Sequence, residues 1–151
     1  MDKFVPIEKS KADHSYGVAR FMFDHAREFD LMPDVMYVLG LLHDVGYMYG
    51  SYDHANNGAR FLESVGFQYF EDIAWHGNDP QDYINVVGEN PPPELVLLWL
   101  ADHSIDPTGA EVGFDKRLAD IGQRYGVGSL QYLTAMNTVE WLTENLSNYK
   151  H

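Results

Sequence analysis

Six histidine and aspartate side chains are spaced along the chain in a way that could hold metal ions. The centre of the pattern is the adjacent pair His43-Asp44, which ends an apolar stretch that begins at Leu39. The other candidates are His14, His54, His76 and Asp102. Each of them lies within or at an end of a predicted helix, and helix ends can converge on one point. Imidazoles and carboxylates that converge in this way are ligands for divalent metal ions.

The hydrophobic spacing predicts the helices that would position these side chains. We expect helices over about 13–29, 33–43, 54–65, 69–76, 94–103, 114–124 and 129–147. The sequence has no internal repeat and no strand signal longer than a few residues. A chain of 151 residues is long enough to bury one core. We therefore predict an all-α, single-domain bundle of about six to seven helices that spans residues 1–151.

Two stretches are predicted to lack a helix. Residues 1–11 are expected to be a polar lead-in, with Asp13 as the N-cap of the first helix. Residues 78–93 are expected to form the longest loop, because Asp79-Pro80, a glycine and three consecutive prolines interrupt them. Such a loop is either a lid over a site or a surface excursion, and the sequence leaves both options open.

The second and the last predicted helices carry long apolar patterns. The second is apolar nearly all round and is therefore expected in the middle of the fold. Its apolar residues are Val35, Val38, Leu39, Leu41 and Leu42. Gly46 stands where the stop of this helix is expected, and Asp53 is the expected cap of the third helix. The apolar residues of the last helix are Leu130, Leu133, Met136, Val139, Leu142 and Leu146.

His43-Asp44 and Asp102 lie where a helix end creates an electrostatic requirement. A buried histidine and aspartate need partners, because an unpaired buried charge is very costly. A metal ion would supply one, and a backbone carbonyl for His43 with an arginine for Asp44 is the structural alternative. Asp102 is expected at the negative end of a helix dipole, where a cation would compensate its charge. His103 and Asp106 follow it and are candidates for supporting the ligands.

Composition excludes several classes of function. The formal net charge is −13, with only ten Lys and Arg, so binding to duplex nucleic acid or a membrane surface is not expected. A small phosphorylated ligand remains compatible, because bound metal ions would reverse the local field. Without cysteine, the chain has no disulfide, zinc–thiolate site or thiol nucleophile. No apolar run approaches a membrane span, and Met1-Asp2-Lys3-Phe4 does not begin a signal peptide, so we expect a cytoplasmic protein.

The ordered histidine and aspartate pattern resembles the HD superfamily of metal-dependent phosphohydrolases. Within that superfamily the chain looks most like the bacterial symmetrical dinucleoside-tetraphosphate hydrolases. The supporting stretches are His54-Ala55 with Gly58-Ala59, Ile73-Ala74-Trp75-His76, Leu100-Ala101-Asp102, Asp106-Pro107, Gly113-Phe114-Asp115 with Arg117-Leu118-Ala119, and the last helix through Thr138 and Leu142. The resemblance covers essentially the whole chain and implies an HD-type helical bundle.

The resemblance also implies two divalent metal ions. One would be held by His14, His43, Asp44 and Asp102, and Asp44 would bridge to a second held by His54 and His76. His43 and Asp44 would be the catalytic pair of a phosphohydrolase that works through a metal-activated hydroxide. Ligands without thiolate favour iron or manganese, with magnesium, nickel or zinc as alternatives.

The substrate contacts are less defined by the pattern. Tyr47 stands three residues after Asp44, where the family often has a lysine, and the segment between Asp44 and His54 is shorter than is usual in the tetraphosphate-hydrolase branch. The candidate substrate contacts are Tyr47, Arg20, Arg60 and Arg117, with Lys116 and Arg124 as further cations. Any of these cations could instead be a solvated surface charge.

We therefore expect a hydrolase that cleaves a phosphate ester or anhydride of a nucleotide, with diadenosine tetraphosphate as the leading specific candidate. A nucleoside monophosphatase and a cyclic-nucleotide phosphodiesterase are the alternatives within that class. A non-catalytic HD module that binds metal and nucleotide, and a plain helical bundle with scattered histidines, are the alternatives outside it. The expected partner is a small nucleotide or phosphate substrate rather than nucleic acid or membrane, and a homodimer remains open.

Overall fold

The computed structural model describes residues 6–50 and 52–151. In these ranges the chain forms the α-helices α1 Lys9–His25, α2 Pro33–Leu42, α3 His54–Ser64, α4 Phe70–Trp75, α5 Pro80–Val87, α6 Pro93–Asp102, α7 Phe114–Tyr125 and α8 Leu130–Asn145, and the 3₁₀ turns Ala26–Phe29, Val45–Tyr49 and Leu146–Asn148. Their only β feature is an isolated bridge between Ile105 and Glu111. The prediction of an all-α fold is confirmed. The start of the predicted lead-in, including the residues expected not to begin a signal peptide, and Ser51 lie outside the described residues.

The core is built around α6. Every residue from Leu95 to Ala101 is buried, because α1, α2, α4 and α8 cover this helix on its different sides. The apolar pattern of the sequence predicts this central place for α2 instead, and that prediction is wrong. Val38 is 41% exposed. The helix packs chiefly on α1, so it lies on the outside of the bundle and buries only one face.

The first helix begins earlier than predicted. Its N-cap is Glu8, and Asp13, the predicted cap, lies inside α1. The Asp13 carboxylate accepts a hydrogen bond from Lys9 Nζ at 2.5 Å, an i,i+4 pair of the kind that supports a helix. Residues 9–11 are therefore helical rather than part of a lead-in, which changes the side chains that reach the site.

The predicted loop 78–93 contains α5, so that prediction is also wrong. The Asp79 side chain accepts a hydrogen bond from the Asp82 backbone N–H, Pro80 occupies the first turn, and Gly88 ends the helix in a left-handed conformation. These are ordinary start and stop signals of a helix. In the sequence these residues are also typical of loops, and a helix of only eight residues is too short to show a clear helical periodicity between them.

The apolar pattern of α8 does not form one buried face. Leu130 and Leu133 are 78% and 50% exposed, whereas Ala135, Thr138 and Leu142 are buried. A helix turn takes 3.6 residues, so a strict three-residue spacing drifts around the helix, and Leu130 lies on a different side from Leu142. None of the helices in the described ranges is long and apolar enough to cross a membrane.

Candidate metal centre

Ends of four helices and the second turn of a fifth bring the six predicted ligands together. His14 lies in α1, His43 and Asp44 follow α2, His54 opens α3, His76 follows α4, and Asp102 ends α6. Two groups of three are close enough to hold a metal ion, namely His14, His43 and Asp102, and His43, Asp44 and His76. His54 is outside these groups, but its Nε2 lies 3.5 Å from Asp44 Oδ1.

The two carboxylates lie between the imidazoles. Asp102 Oδ1 is 2.7 Å from His14 Nε2 and 3.5 Å from His43 Nε2. Asp44 Oδ2 is 3.2 Å from His43 Nε2, while its Oδ1 is 3.2 Å from His76 Nε2. The two oxygens of Asp44 thus face different histidines, which is the arrangement that a bridging carboxylate requires.

Backbone carbonyls fix the orientation of the histidines. His43 Nδ1 donates to the Gly40 carbonyl at 2.6 Å, and His76 Nδ1 donates to the Ile73 carbonyl at 2.5 Å. Each carbonyl belongs to the last turn of a helix, where it also accepts a longer hydrogen bond, of 3.4 Å, from the backbone N–H of the same histidine. His14 Nδ1 donates to the Asp106 carbonyl at 3.2 Å. Each Nε2 atom is thereby directed at the cluster, as in metal sites whose second ring nitrogen is hydrogen-bonded.

His43 supplies the clearest test of whether these residues fit a metal ion. Its side chain is fully buried, and among the described residues its Nε2 is the buried side-chain atom with no hydrogen-bond partner. A cation bound to Nε2 and the neighbouring carboxylate oxygens would satisfy it. The ion-pair contacts of Asp44 with described residues are all to histidines, so the structural alternative with an arginine partner is not formed there. Imidazole and carboxylate donors suit a divalent ion.

The pKa shifts follow from the same geometry. Burial lowers the pKa of His43, but the charges of Asp44 and Asp102 raise it more, so the net pKa lies well above the ordinary value. Burial raises the pKa of both aspartates, but their histidine contacts hold it well below the usual range. The cluster therefore retains a proton that a metal ion would replace, so metal binding should release protons. Burial and the charge of His76 lower the pKa of His54 to about 4, which keeps it neutral and available as a ligand.

An open cavity of about 390 Å³ lies over the cluster. Of the predicted substrate contacts, Tyr47 and Arg117 line it. The Tyr47 ring stacks on His54 with centroids 4.2 Å apart, and burial with the charge of Asp44 raises its pKa, so it remains a neutral phenol. Arg117 is committed elsewhere, since Nε donates to the Asp102 carbonyl at 3.1 Å and Nη1 pairs with Asp120 at 3.0 Å.

The structure does not bring the other two predicted arginines to this cavity. Arg20 Nη2 donates to the Gly109 carbonyl at 3.3 Å, and the residue lines a separate surface hollow with Phe23 and Tyr37. Arg60 lies on the exposed side of α3. A role of either arginine in substrate binding stays a prediction, and neither side chain lines the cavity.

Several cavity residues escape prediction because two helices are misplaced in the sequence-based assignment. Ser10 and Lys11 come from the unpredicted first turn of α1, while Asn78 and Asp82 come from the segment that was interpreted as a loop. The Lys9–Asp13 spacing and the Asp79-Pro80 cap are the signals that could have identified them.

The two residues predicted to support the ligands flank the cluster. His103 lines the cavity, and its Nδ1 donates to the Trp99 carbonyl at 2.7 Å. Burial lowers the pKa of His103. Asp106 holds a tight loop by accepting hydrogen bonds from Thr108 and Ala110, and its carbonyl is the one that orients His14.

Comparison with known proteins agrees with the geometry. A family model described as the HD domain matches residues 12–124, which is more than half of the chain and includes all six clustered residues. Neither the curated proteins nor the solved structures gave a match. HD domains bind divalent metals and are generally metal-dependent hydrolases. The chain therefore belongs to the HD domain family.

Proposed function

We propose that this protein is a phosphohydrolase that cleaves a phosphate ester or anhydride of a nucleotide with the help of two divalent metal ions. The observation that carries the proposal is the cluster of four imidazoles and two carboxylates at an open cavity, with His43 Nε2 buried and without a hydrogen-bond partner. The family assignment supports hydrolase chemistry at this position. The cavity volume of about 390 Å³ lies in the range of small-molecule sites.

The chain would divide the ligands between two ions. His14, His43 and Asp102 would hold one, His54 and His76 would hold the other, and Asp44 would be shared between them. When bound, such a pair of ions lowers the pKa of water and stabilises charge on a phosphoryl group. The protein orients the imidazoles of His43 and His76 through the Gly40 and Ile73 carbonyls, and the open cavity gives substrate and water access to the cluster.

The specific substrate that we propose is a dinucleoside polyphosphate, with diadenosine tetraphosphate as the first candidate and iron or manganese as the metal. This choice depends on the resemblance of the motifs to the symmetrical hydrolase branch. We also propose that residues 1–151 form one HD domain, because α8 lies beyond the matched segment yet packs on α5, α6 and α7. Light scattering would test the homodimer that the sequence leaves open.

Elemental analysis of the purified protein, with a turnover screen against nucleotide phosphates, tests the proposal. We expect about two equivalents of iron or manganese and hydrolysis of a dinucleoside polyphosphate. One equivalent with turnover of nucleoside monophosphates, or turnover of cyclic nucleotides, would replace the proposed substrate with one of the alternatives. Metal without turnover would indicate a binding module. No metal and no turnover after reconstitution would contradict the proposal entirely.

A further inference from the structure

We propose that Lys11 binds the phosphoryl group of the substrate beside the metal ligands, and that the Tyr47 ring holds its ammonium group in position. The inference deepens the proposed function and rests on it, because it names a specificity-determining side chain for that same site. Three observations carry it: the position of Lys11 in the cavity wall, its contact with Tyr47, and the ion pairs formed by the other cations that line the cavity.

Lys11 lies next to the metal ligands through helix geometry. It precedes His14 by three residues in α1, so the two side chains share one face of the helix. Both residues line the cavity, together with Asp44. A phosphoryl group bound to metal ions at the cluster would therefore lie on the side of α1 that carries Lys11.

An aromatic contact orients the ammonium group and leaves its charge in place. Lys11 Nζ lies 3.9 Å from the centroid of the Tyr47 ring, and that ring is itself held by stacking on His54. A cation over a ring is attracted by the ring's negative face without forming an ion pair. The N–H donors that point away from the ring thus remain available to an anion.

The other cations that line the cavity have acidic partners. Arg117 pairs with Asp120, and Arg124 Nη2 lies 3.8 Å from the same carboxylate. The Lys11 ammonium, by contrast, has no carboxylate within ion-pair distance in the described part of the chain. In a chain with 23 acidic and ten basic residues, this is an unneutralised cation next to the site where a phosphate would be bound.

The test uses inorganic phosphate as the probe and the full chain loaded with manganese. Phosphate binding is measured by calorimetry for the wild type, Lys11→Gln and Lys11→Arg, with manganese content measured for each. We expect Lys11→Gln to bind phosphate about tenfold more weakly, the size of one lost charged hydrogen bond. Lys11→Arg should restore most of the affinity, and manganese content should stay unchanged.

Lys9→Gln is the matched control for net charge. Lys9 lies on the same helix, but its side chain is 87% exposed and its ammonium pairs with Asp13 outside the cavity. We expect this variant to bind phosphate like the wild type. An equal loss in Lys9→Gln and Lys11→Gln would reduce the effect to long-range charge and overturn the inference.

Tyr47 variants test the positioning role. Tyr47→Phe keeps the ring and should keep phosphate affinity, whereas Tyr47→Leu should weaken it severalfold while the melting temperature reports on folding. Wild-type affinity in both Lys11→Gln and Tyr47→Leu would overturn the inference while leaving the proposed function intact. A manganese-loaded wild type that binds no phosphate would contradict the inference and the proposed function together.

Discussion

The imidazole of His43 links the end of a helix to the centre of the cluster. Its Nδ1 donates to the Gly40 carbonyl in the last turn of α2, and this directs Nε2 at Asp44 and Asp102. Because both aspartates are largely buried, their charges need a cation between them. The candidate metal site around His43 and Asp44 therefore also includes Asp102, which lies far away in sequence.

The first prediction concerns the carboxylate between the two groups of ligands. Asp44→Ala should lose bound metal and activity together, because Asp44 contacts histidines of both proposed sites. We expect turnover to fall by more than about 100-fold, beyond the range seen when only a residue supporting a ligand is removed. Elemental analysis and an assay on the same sample would measure both losses.

Asp24→Ala is the control for Asp44→Ala, since Asp24 is exposed on α1 and lies outside the cavity. It should keep metal and turnover. Two retained equivalents of metal in Asp44→Ala would rule out the shared carboxylate.

Close packing of the 3₁₀ turn Val45–Tyr49 on α3 positions His54 and the stacked Tyr47. A Cβ atom on Gly46 would lie 1.7 Å from the His54 carbonyl oxygen and 2.7 Å from the Gly58 nitrogen. Gly46 was predicted as a helix stop, which requires a left-handed conformation, but its φ is not positive. It is required instead because backbone meets backbone at this point, and only glycine leaves the room.

The second prediction follows from this contact. Gly46→Ala should force α3 away from the turn, lowering the free energy of unfolding by about 1–3 kcal/mol and weakening metal binding through His54. Urea unfolding and a metal titration would measure the two effects. Gly128→Ala is the matched control, because a Cβ atom at that position would meet nothing within 4 Å and its φ is not positive. Equal stability of the two variants would refute the packing argument.

The third prediction concerns the cap of α5. The Asp79 side chain caps this helix and also accepts a hydrogen bond from Asn137 of α8 at 3.2 Å. Asp79→Ala should lower the free energy of unfolding by about 1 kcal/mol, because the first turn loses its acceptor. Asp79→Asn should lose less stability, since asparagine is an equally good cap and gives up only the acceptor for Asn137. Thermal unfolding of the two variants would decide, and identical losses would show that the cap does not stabilise α5.

The distribution of charge over the molecule creates a separate pH dependence. The net charge is −13, because acidic residues outnumber basic ones. One of the acidic side chains, that of Asp72 in α4, is buried. Burial, followed by the charges of Glu94 and Glu71, raises the pKa of Asp72 from 3.8 to about 8. The folded protein thus holds a proton that the unfolded chain releases near pH 4. Between about pH 4 and pH 8, stability falls as the pH rises, because the folded state binds more protons.

The fourth prediction is that Asp72→Asn removes this loss. The variant should be more stable than the wild type, with a difference that grows between pH 5 and pH 8. Even half of the pKa shift corresponds to a difference of about 3 kcal/mol in the free energy of unfolding. Urea unfolding at both pH values would measure the difference, and Asp82→Asn, at an exposed carboxylate of α5, shows the effect of removing one surface charge. A stability difference between Asp72→Asn and the wild type that does not change with pH would contradict the raised pKa of Asp72.

Local patterns along the chain are enough to predict the all-α fold class and the residues of the cluster. Helical periodicity is a local property, so most helices were predicted within a few residues of their observed bounds. The six clustered residues could be selected because helix ends such as His43 and Asp102 leave polar groups that require partners. Their ordered pattern also identified the family, which the matched segment 12–124 confirms.

Local patterns do not predict which helix is central, which faces are buried or which cations reach the cavity, because these depend on how the helices pack. Periodicity shows that a face is apolar, but it does not show what covers it, and this is why the sequence predicts the central place for α2 rather than for α6. The partners of Arg20, Arg117 and Lys11 depend on contacts between segments distant in sequence. Such contacts are set by how helices pack, and no local pattern contains them.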